Sequence, residues 1–338
     1  MSTSLTWADV HARRLERHGL AEPVPAARLV DQVGVMCGAH AQVMSAAELS
    51  IGVRVASVTR AAVREALSVD RSLVKTYGPR GTVHLLPASD LAVWTGALGA
   101  ALAPPRGDRG ARMTPDQVEQ VVAAIGAALE DAELTVGELD SEVVARTGPW
   151  AGDLVMPAFT GMWPRWRQLI GEAARRGVLC FGADRGRQVT YTSPRRWLPG
   201  FEPAEGRTAL AEVVRRYLRA YGPATPQEFA RWLGAPPGLV VGLFRELGSE
   251  LEQVEVEERR RGSSRATPRG RPNLRSGSGC SPITTRTELA ATRASRCSRA
   301  VPPSAPSSGA RRARCPSCWS TGSWRGSGNS GERAAGSR

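Results

Sequence analysis

The chain has 338 residues and a formal charge of +13, yet residues 1–256 hold 28 basic and 28 acidic side chains, while residues 257–338 hold 17 Arg and 4 Glu. The basic excess belongs to the last quarter, so net charge is no argument for nucleic-acid binding by the rest. Neither an 18-residue apolar run nor a charged-then-apolar N-terminus is present, so a membrane span and a signal peptide are not expected and a cytoplasmic protein is.

The first stretch with a clear period is Thr6 to His18, an amphipathic helix with Trp7, Val10 and Leu15 on one side. After a turn at Leu20 to Pro25, Ala26 to Met36 reads as a second helix. It runs into Cys37 to Leu49, C-G-A-H-A-Q-V-M-S-A-A-E-L. The i, i+2 spacing of His40 and Gln42 puts them on one face of an extended segment but roughly 200° apart on a helix. They converge only if the chain leaves the helix near Gly38. Two readings stand side by side: a glycine-capped helix end with two local polar groups, and a paired polar site. Ser45-x-x-Glu48 has the spacing of a capping box for a helix over Ser45 to Val55. Another helix starts at Ser57 or Thr59 and covers Arg60 to Leu67, and Leu73 to Tyr77, the turn Gly78 to Gly81 and Thr82 to Leu86 form a hairpin. Helices followed by a hairpin are the order of a winged helix.

The order returns twice without a clean repeat. Helices are expected over Thr114 to Leu129, opened by Thr-Pro, over Thr135 to Arg146 and over Trp163 to Arg176. Val178 to Thr192, broken at Gly182 to Gly186, makes a second wing. Arg207 to Tyr221, Thr225 to Leu233, Leu239 to Leu247 and the alternating Leu251 to Glu257 make a third copy. The expected architecture is α+β: tandem winged-helix units over 1–100, 114–200 and 206–256, with a linker at 101–113 and a tail at 257–338.

Three ordered segments resemble the AlkZ-like winged-helix family, which includes bacterial DNA glycosylases acting on alkylated bases and crosslinks. They are Cys37 to Leu49, Leu73 to Pro87 (L-V-K-T-Y-G-P-R-G-T-V-H-L-L-P), and Met162 to Trp197 with W-P-R-W and R-G-V-L-C-F-G inside. The resemblance implies three tandem winged helices, double-stranded DNA as partner, and His40 and Gln42 as the catalytic pair in the family's His-x-Gln form. An alkylated purine is a cationic leaving group, so a base or water partner (His40) and an orienting amide (Gln42) suffice. A Schiff-base mechanism needs an amine, and the one lysine, Lys75, lies in a wing strand. A monofunctional, monomeric glycosylase without cofactor is therefore expected. The alternative is a non-catalytic DNA-binding or regulatory protein, although Arg60 to Leu67 is weakly basic for a recognition helix and no dimerising heptad is visible.

Lys75 and Arg80 in the first wing, and Arg185 and Arg187 in the second, are candidates for phosphate contact; solvated wing-tip residues have the same composition. His84 reads as structural, and Trp163 and Trp166 as core. No set of His, Cys and carboxylates has metal-ligand spacing. From Glu258 on, apolar periodicity vanishes into Arg, Ser, Pro and Gly, as in a disordered basic arm. A frameshift is the sharper expectation: read one base out of phase with GC-rich codons, Pro282 to Thr287 gives H-Y-D-A-Y and Cys315 to Gly322 gives P-V-L-L-V-D-G, both like this family's C-terminal sequences. Cys315-x-x-Cys318 is then an accident of the shifted frame rather than a metal half-site.

Overall fold

Threonines start most of the longer helices, because a hydroxyl can accept one of the backbone N–H groups that a helix N-terminus leaves open. In the computed structural model, which describes residues 3–102, 111–158 and 161–256, Thr6, Thr59, Thr114, Thr135 and Thr225 each cap a helix. Four of them close a reciprocal box with the side chain three residues on. The elements run β1 (Thr3–Leu5), α1 (Trp7–Arg17), α2 (Leu29–Val35), β2 (Ala39–His40), α3 (Met44–Gly52), α4 (Arg60–Ser68), β3 (Leu73–Tyr77), β4 (Val83–Pro87) and α5 (Leu91–Ala101). Then follow α6 (Pro115–Leu129), β5 (Glu133–Thr135), α7 (Val136–Thr147), β6 (Leu154–Pro157), β7 (Met162–Pro164), α8 (Ile170–Arg175), β8 (Cys180–Phe181) and β9 (Thr190–Thr192). The rest are α9 (Pro194–Trp197), α10 (Gly206–Tyr221), α11 (Pro226–Leu233), α12 (Pro237–Glu246) and β10 (Val254–Val256). The chain is thus a mixed helix and sheet protein. The tail at 257–338, on which the expected frameshift and four of the cysteines fall, lies outside the described residues.

Two three-stranded antiparallel sheets, ordered β2-β4-β3 and β5-β9-β8, each put a hairpin next to a strand from earlier in the chain. β4 divides two cores. Val83 and Leu85 join a core with Val33, Ile51 and Leu73 on one side and Ile125, Leu139 and Trp166 on the other. Leu86 faces the opposite way, into a core with Trp94, Leu98, Val213, Phe229 and Phe244. α5 lies along α10, and the two come so close that a Cβ at Gly206 would fall 2.8 Å from that of Ala100.

Several expectations need correction. The Ser45-x-x-Glu48 box does not form: α3 starts at Met44 after an uncapped Val43. Glu48 is buried instead and pairs with Arg64 at 2.7 Å and Arg60 at 3.7 Å, clamping α3 to α4. The helix expected over Trp163 to Arg176 is a strand, a 3-10 turn and the short α8, because Trp163 pairs in the β6–β7 hairpin and Pro164 ends it. Trp166 is a core residue, with its indole N–H donating to Asp140 at 2.5 Å. The sequence reading had no counterpart for α5, for the β6–β7 hairpin, or for β1, which pairs in parallel with β10.

Candidate active site on the first sheet

The path into the site begins where α2 stops. Met36 is the last residue with helical backbone; Cys37 (φ 58°) and Gly38 (φ 97°) turn the chain in the left-handed region, and Ala39–His40 then pairs with β4. The extended conformation required for His40 and Gln42 to share a face is present. Ala39 and Ala41 are buried, and His40 and Gln42 point outward. The Ala41 N–H donates to the Val83 carbonyl at 2.7 Å, and the Gln42 Oε1 accepts from the Val83 N–H at 3.3 Å. Because its oxygen faces that donor, Gln42 turns its amide N–H groups away from the strand.

The register places three side chains in a row across the sheet: His40, His84 and Thr76. The rings of His40 and His84 meet edge to face, with centroids 5.2 Å apart and planes at 83°. His84 is 6% exposed, and its Nδ1 lies 2.9 Å from the Thr82 carbonyl. A carbonyl can only accept, so Nδ1 carries the proton and, in the neutral ring, Nε2 does not. Burial pushes its pKa down to about 4; the bond to Thr82 opposes this, and His40 and Arg80 add to it. Beneath the row the Cys37 thiol is buried, which pushes its pKa up to about 12. The Tyr221 hydroxyl donates to the Met36 carbonyl at 2.7 Å, so the C-terminal end of α10 braces the turn that leads into His40. No local pattern marks this contact, since its partners are 185 residues apart.

The remaining candidates are dispersed. Arg80 sits exposed at the hairpin turn, with φ 59°. Lys75 pairs with Leu85 and so faces the other side of the sheet from His84. Its ammonium lies 4.7 Å from the centre of the Phe181 ring, in a 460 Å³ cleft shared with Gly182, Asp184 and Gly186 of the second sheet's loop. In that loop Arg185 is paired with Glu138 at 3.0 Å, and Arg187 is exposed. Among the described residues neither Arg80 nor Arg187 makes an ion pair. No described helix is long and apolar enough to cross a membrane.

A sheet edge that presents an imidazole and an amide side by side, with basic residues on the neighbouring turns, has the parts of a site for polarising water near an anionic polymer. Residues 33–276 match the model of the family described as DNA glycosylase AlkZ-like. The chain is 34% identical over 269 residues to an interstrand DNA cross-link repair glycosylase of Streptomyces sahachiroi, an alignment covering 75% of this chain and 68% of that protein. The solved structure of the Streptomyces sahachiroi DNA glycosylase AlkZ superposes with a TM-score of 0.64 at 30% identity, over 75% of this chain and 68% of the other. This chain therefore belongs to the AlkZ-like DNA glycosylase family, which favours the glycosylase over a non-catalytic DNA-binding protein. The family match ends at residue 276, inside the stretch assigned from sequence to the tail.

Proposed function

We propose that the protein is a monofunctional glycosylase that hydrolyses the N-glycosidic bond of alkylated purines, crosslinked purines among them, in double-stranded DNA. The observation that carries this reading is the pair His40 and Gln42, side by side on the outward face of β2 in a chain of this family. The C1′–N9 bond of an N3- or N7-alkylated purine breaks with its electron pair going to the base, whose positive charge it cancels. A water oxygen bonds to C1′ and its proton passes to the His40 imidazole, leaving a free base and an abasic site. Gln42 orients that water through the amide N–H groups it turns outward. The reaction so written needs no metal or organic cofactor, and a monomer working in the cytoplasm suffices for it.

The order of elements supports tandem winged helices. α2, α3 and α4 precede the β3–β4 hairpin; α6, α7 and α8 precede β8–β9; and α10 to α12 precede β10. On this reading the units are 1–100, 114–200 and 206–256, joined first through 101–113. Arg80 and Arg187 take backbone phosphates. Lys75 and Arg185 join them where DNA displaces their present partners, Phe181 and Glu138.

The test is base release from a duplex carrying one N7-methylguanine. Wild-type protein releases the base, and the variant His40→Ala with Gln42→Ala binds the duplex but releases the base about 10²- to 10⁴-fold more slowly. Undiminished release by the double variant would move catalysis elsewhere. Binding without release by the wild type would return the protein to the non-catalytic class.

A further inference from the structure

We propose that His84 is a positioning residue of the same reaction: its imidazole, packed against Gly78 and tied to the Thr82 carbonyl, fixes the orientation of the His40 ring. The proposal rests on the glycosylase reading above.

Three observations support it. The first is register: His84 stands directly opposite His40 in the β2–β4 pair, and the two rings meet edge to face at 83°. Neighbouring aromatic rings prefer this arrangement because the positive edge of one faces the negative face of the other. The second is that His84 is itself immobilised. Its Nδ1–H donates to the Thr82 carbonyl at 2.9 Å, and that carbonyl also accepts from the Gly78 N–H at 2.8 Å, which ties the imidazole to the end of the hairpin.

The third is the space around the ring. An added Cβ at Gly78 would lie 2.8 Å from both Cγ and Nδ1 of His84. Gly78 has φ −119°, outside the left-handed region that favours glycine. Its backbone therefore does not require glycine, whereas the His84 ring does. A buried side chain that served only to fill space would need neither a glycine pressed against its ring nor a hydrogen bond of its own. Burial also keeps this ring neutral, so no second positive charge forms beside His40 when His40 takes a proton from water.

The experiment measures single-turnover base release and DNA affinity with the same N7-methylguanine duplex, using the full chain. His84→Ala is expected to slow release by about 10- to 100-fold, the scale of a misplaced catalytic group, with affinity changed less than about twofold. His84→Phe restores a ring edge without either nitrogen and should recover most of that loss. His84→Asn restores an amide donor without a ring and should not. Gly78→Ala pushes on the ring while leaving both catalytic side chains in place. It should slow release, and it should slow it no further when added to His84→Ala. His84→Phe and Gly78→Ala keep the core volume, so they carry the test if His84→Ala does not fold, as read by circular dichroism. Wild-type release by His84→Ala, or additive losses in the Gly78→Ala and His84→Ala pair, would overturn the proposal. If His40→Ala releases base normally, the glycosylase assignment falls and this inference with it. If His40→Ala is inactive while every His84 variant matches the wild type, only this inference falls.

Discussion

The two three-stranded sheets share a plan and differ in what they do with their polar side chains. In β5-β9-β8 those groups are spent on one another. Glu133 accepts from the Thr190 hydroxyl and the Ala183 N–H, both at 3.1 Å; the Thr192 hydroxyl donates to the Ala132 carbonyl at 3.1 Å; and Arg185 is held by Glu138. In β2-β4-β3 the outward row begins with His40 and Gln42; among the described residues their polar contact is the 3.3 Å bond that Gln42 Oε1 accepts from the Val83 N–H, and the His40 ring rests against another ring rather than a charge. A sheet that satisfies itself is a structural element; one that leaves an imidazole and an amide facing outward keeps them available for chemistry.

The sharpest way to break this contrast is to exchange the losses. Removing His40 and Gln42 should abolish base release by about 10²- to 10⁴-fold with little change in thermal midpoint. Glu133→Ala should leave the release rate intact. A double variant that melts early, or a Glu133 variant that loses activity, would blur the distinction between the sheets.

Acid should sharpen the contrast next. His84 is pushed down to about 4 from an ordinary 6.5 by burial, with His40 and Arg80 as the charged and titratable groups acting on it. Between those values the unfolded chain holds a proton that the folded chain does not, so stability falls as pH drops from about 6.5 and levels off below about 4. The total is of order 3 kcal/mol, and burial of His18, also pushed down, acts in the same direction. Urea unfolding at pH 7 and 4.5 should show the wild type losing about 2 to 3 kcal/mol more than His84→Phe on acidification. Equal losses would mean that His84 titrates normally.

Smaller effects follow. Glu133→Ala should cost about 0.5 to 1.5 kcal/mol of stability, because the Ala183 N–H loses its acceptor while the Thr190 hydroxyl keeps the Ala183 carbonyl at 2.7 Å. Arg80→Ala should weaken DNA binding and reduce the slope of log affinity against log salt by about one unit. Arg185→Ala should change that slope less, since its charge is already answered by Glu138. An Arg185 effect as large as that of Arg80 would show that DNA takes Arg185 from Glu138.

Much of this was legible in the sequence, for local reasons. A threonine before an apolar period marks a helix start whatever the rest of the chain does: the helices expected to open at Ser57 or Thr59, at Thr114, at Thr135 and at Thr225 are each capped by that threonine. The hairpin from Leu73 to Pro87 was visible in its β-favouring runs and Gly-Pro-Arg-Gly turn. His40 and Gln42 could share a face only if the chain left the helix near Gly38, and it turns there, at Cys37 and Gly38. The misses have physical causes too. Leu91–Ala101 is apolar nearly all round because it is buried nearly all round, so it shows no amphipathic period. Ser45 and Glu48 had capping-box spacing, but Glu48 is buried and its ion pair with Arg64 claimed the carboxylate. His84 was read as structural from its place in a strand; that β2 sets it opposite His40 depends on a pairing across 44 residues that no local pattern encodes.

The parallel pairing of Thr3–Leu5 with Val254–Val256 constrains when the protein can finish itself. Helix α1 docks on α10 through Arg17, which donates to the Arg219 carbonyl at 2.7 Å, and His18, which donates to the Ala220 carbonyl at 3.1 Å. Neither the strand pair nor this docking can form before residues 219 to 256 have left the ribosome. At about 5 to 20 residues per second, that is a wait of roughly 10 to 50 s after the first residues emerge. Through that interval Leu5, Trp7 and Val10, which close a small apolar cluster with Val254 and Val256, have no native partner. The first helix translated is thus among the last to be secured, and a nascent-chain chaperone would meet it in that window.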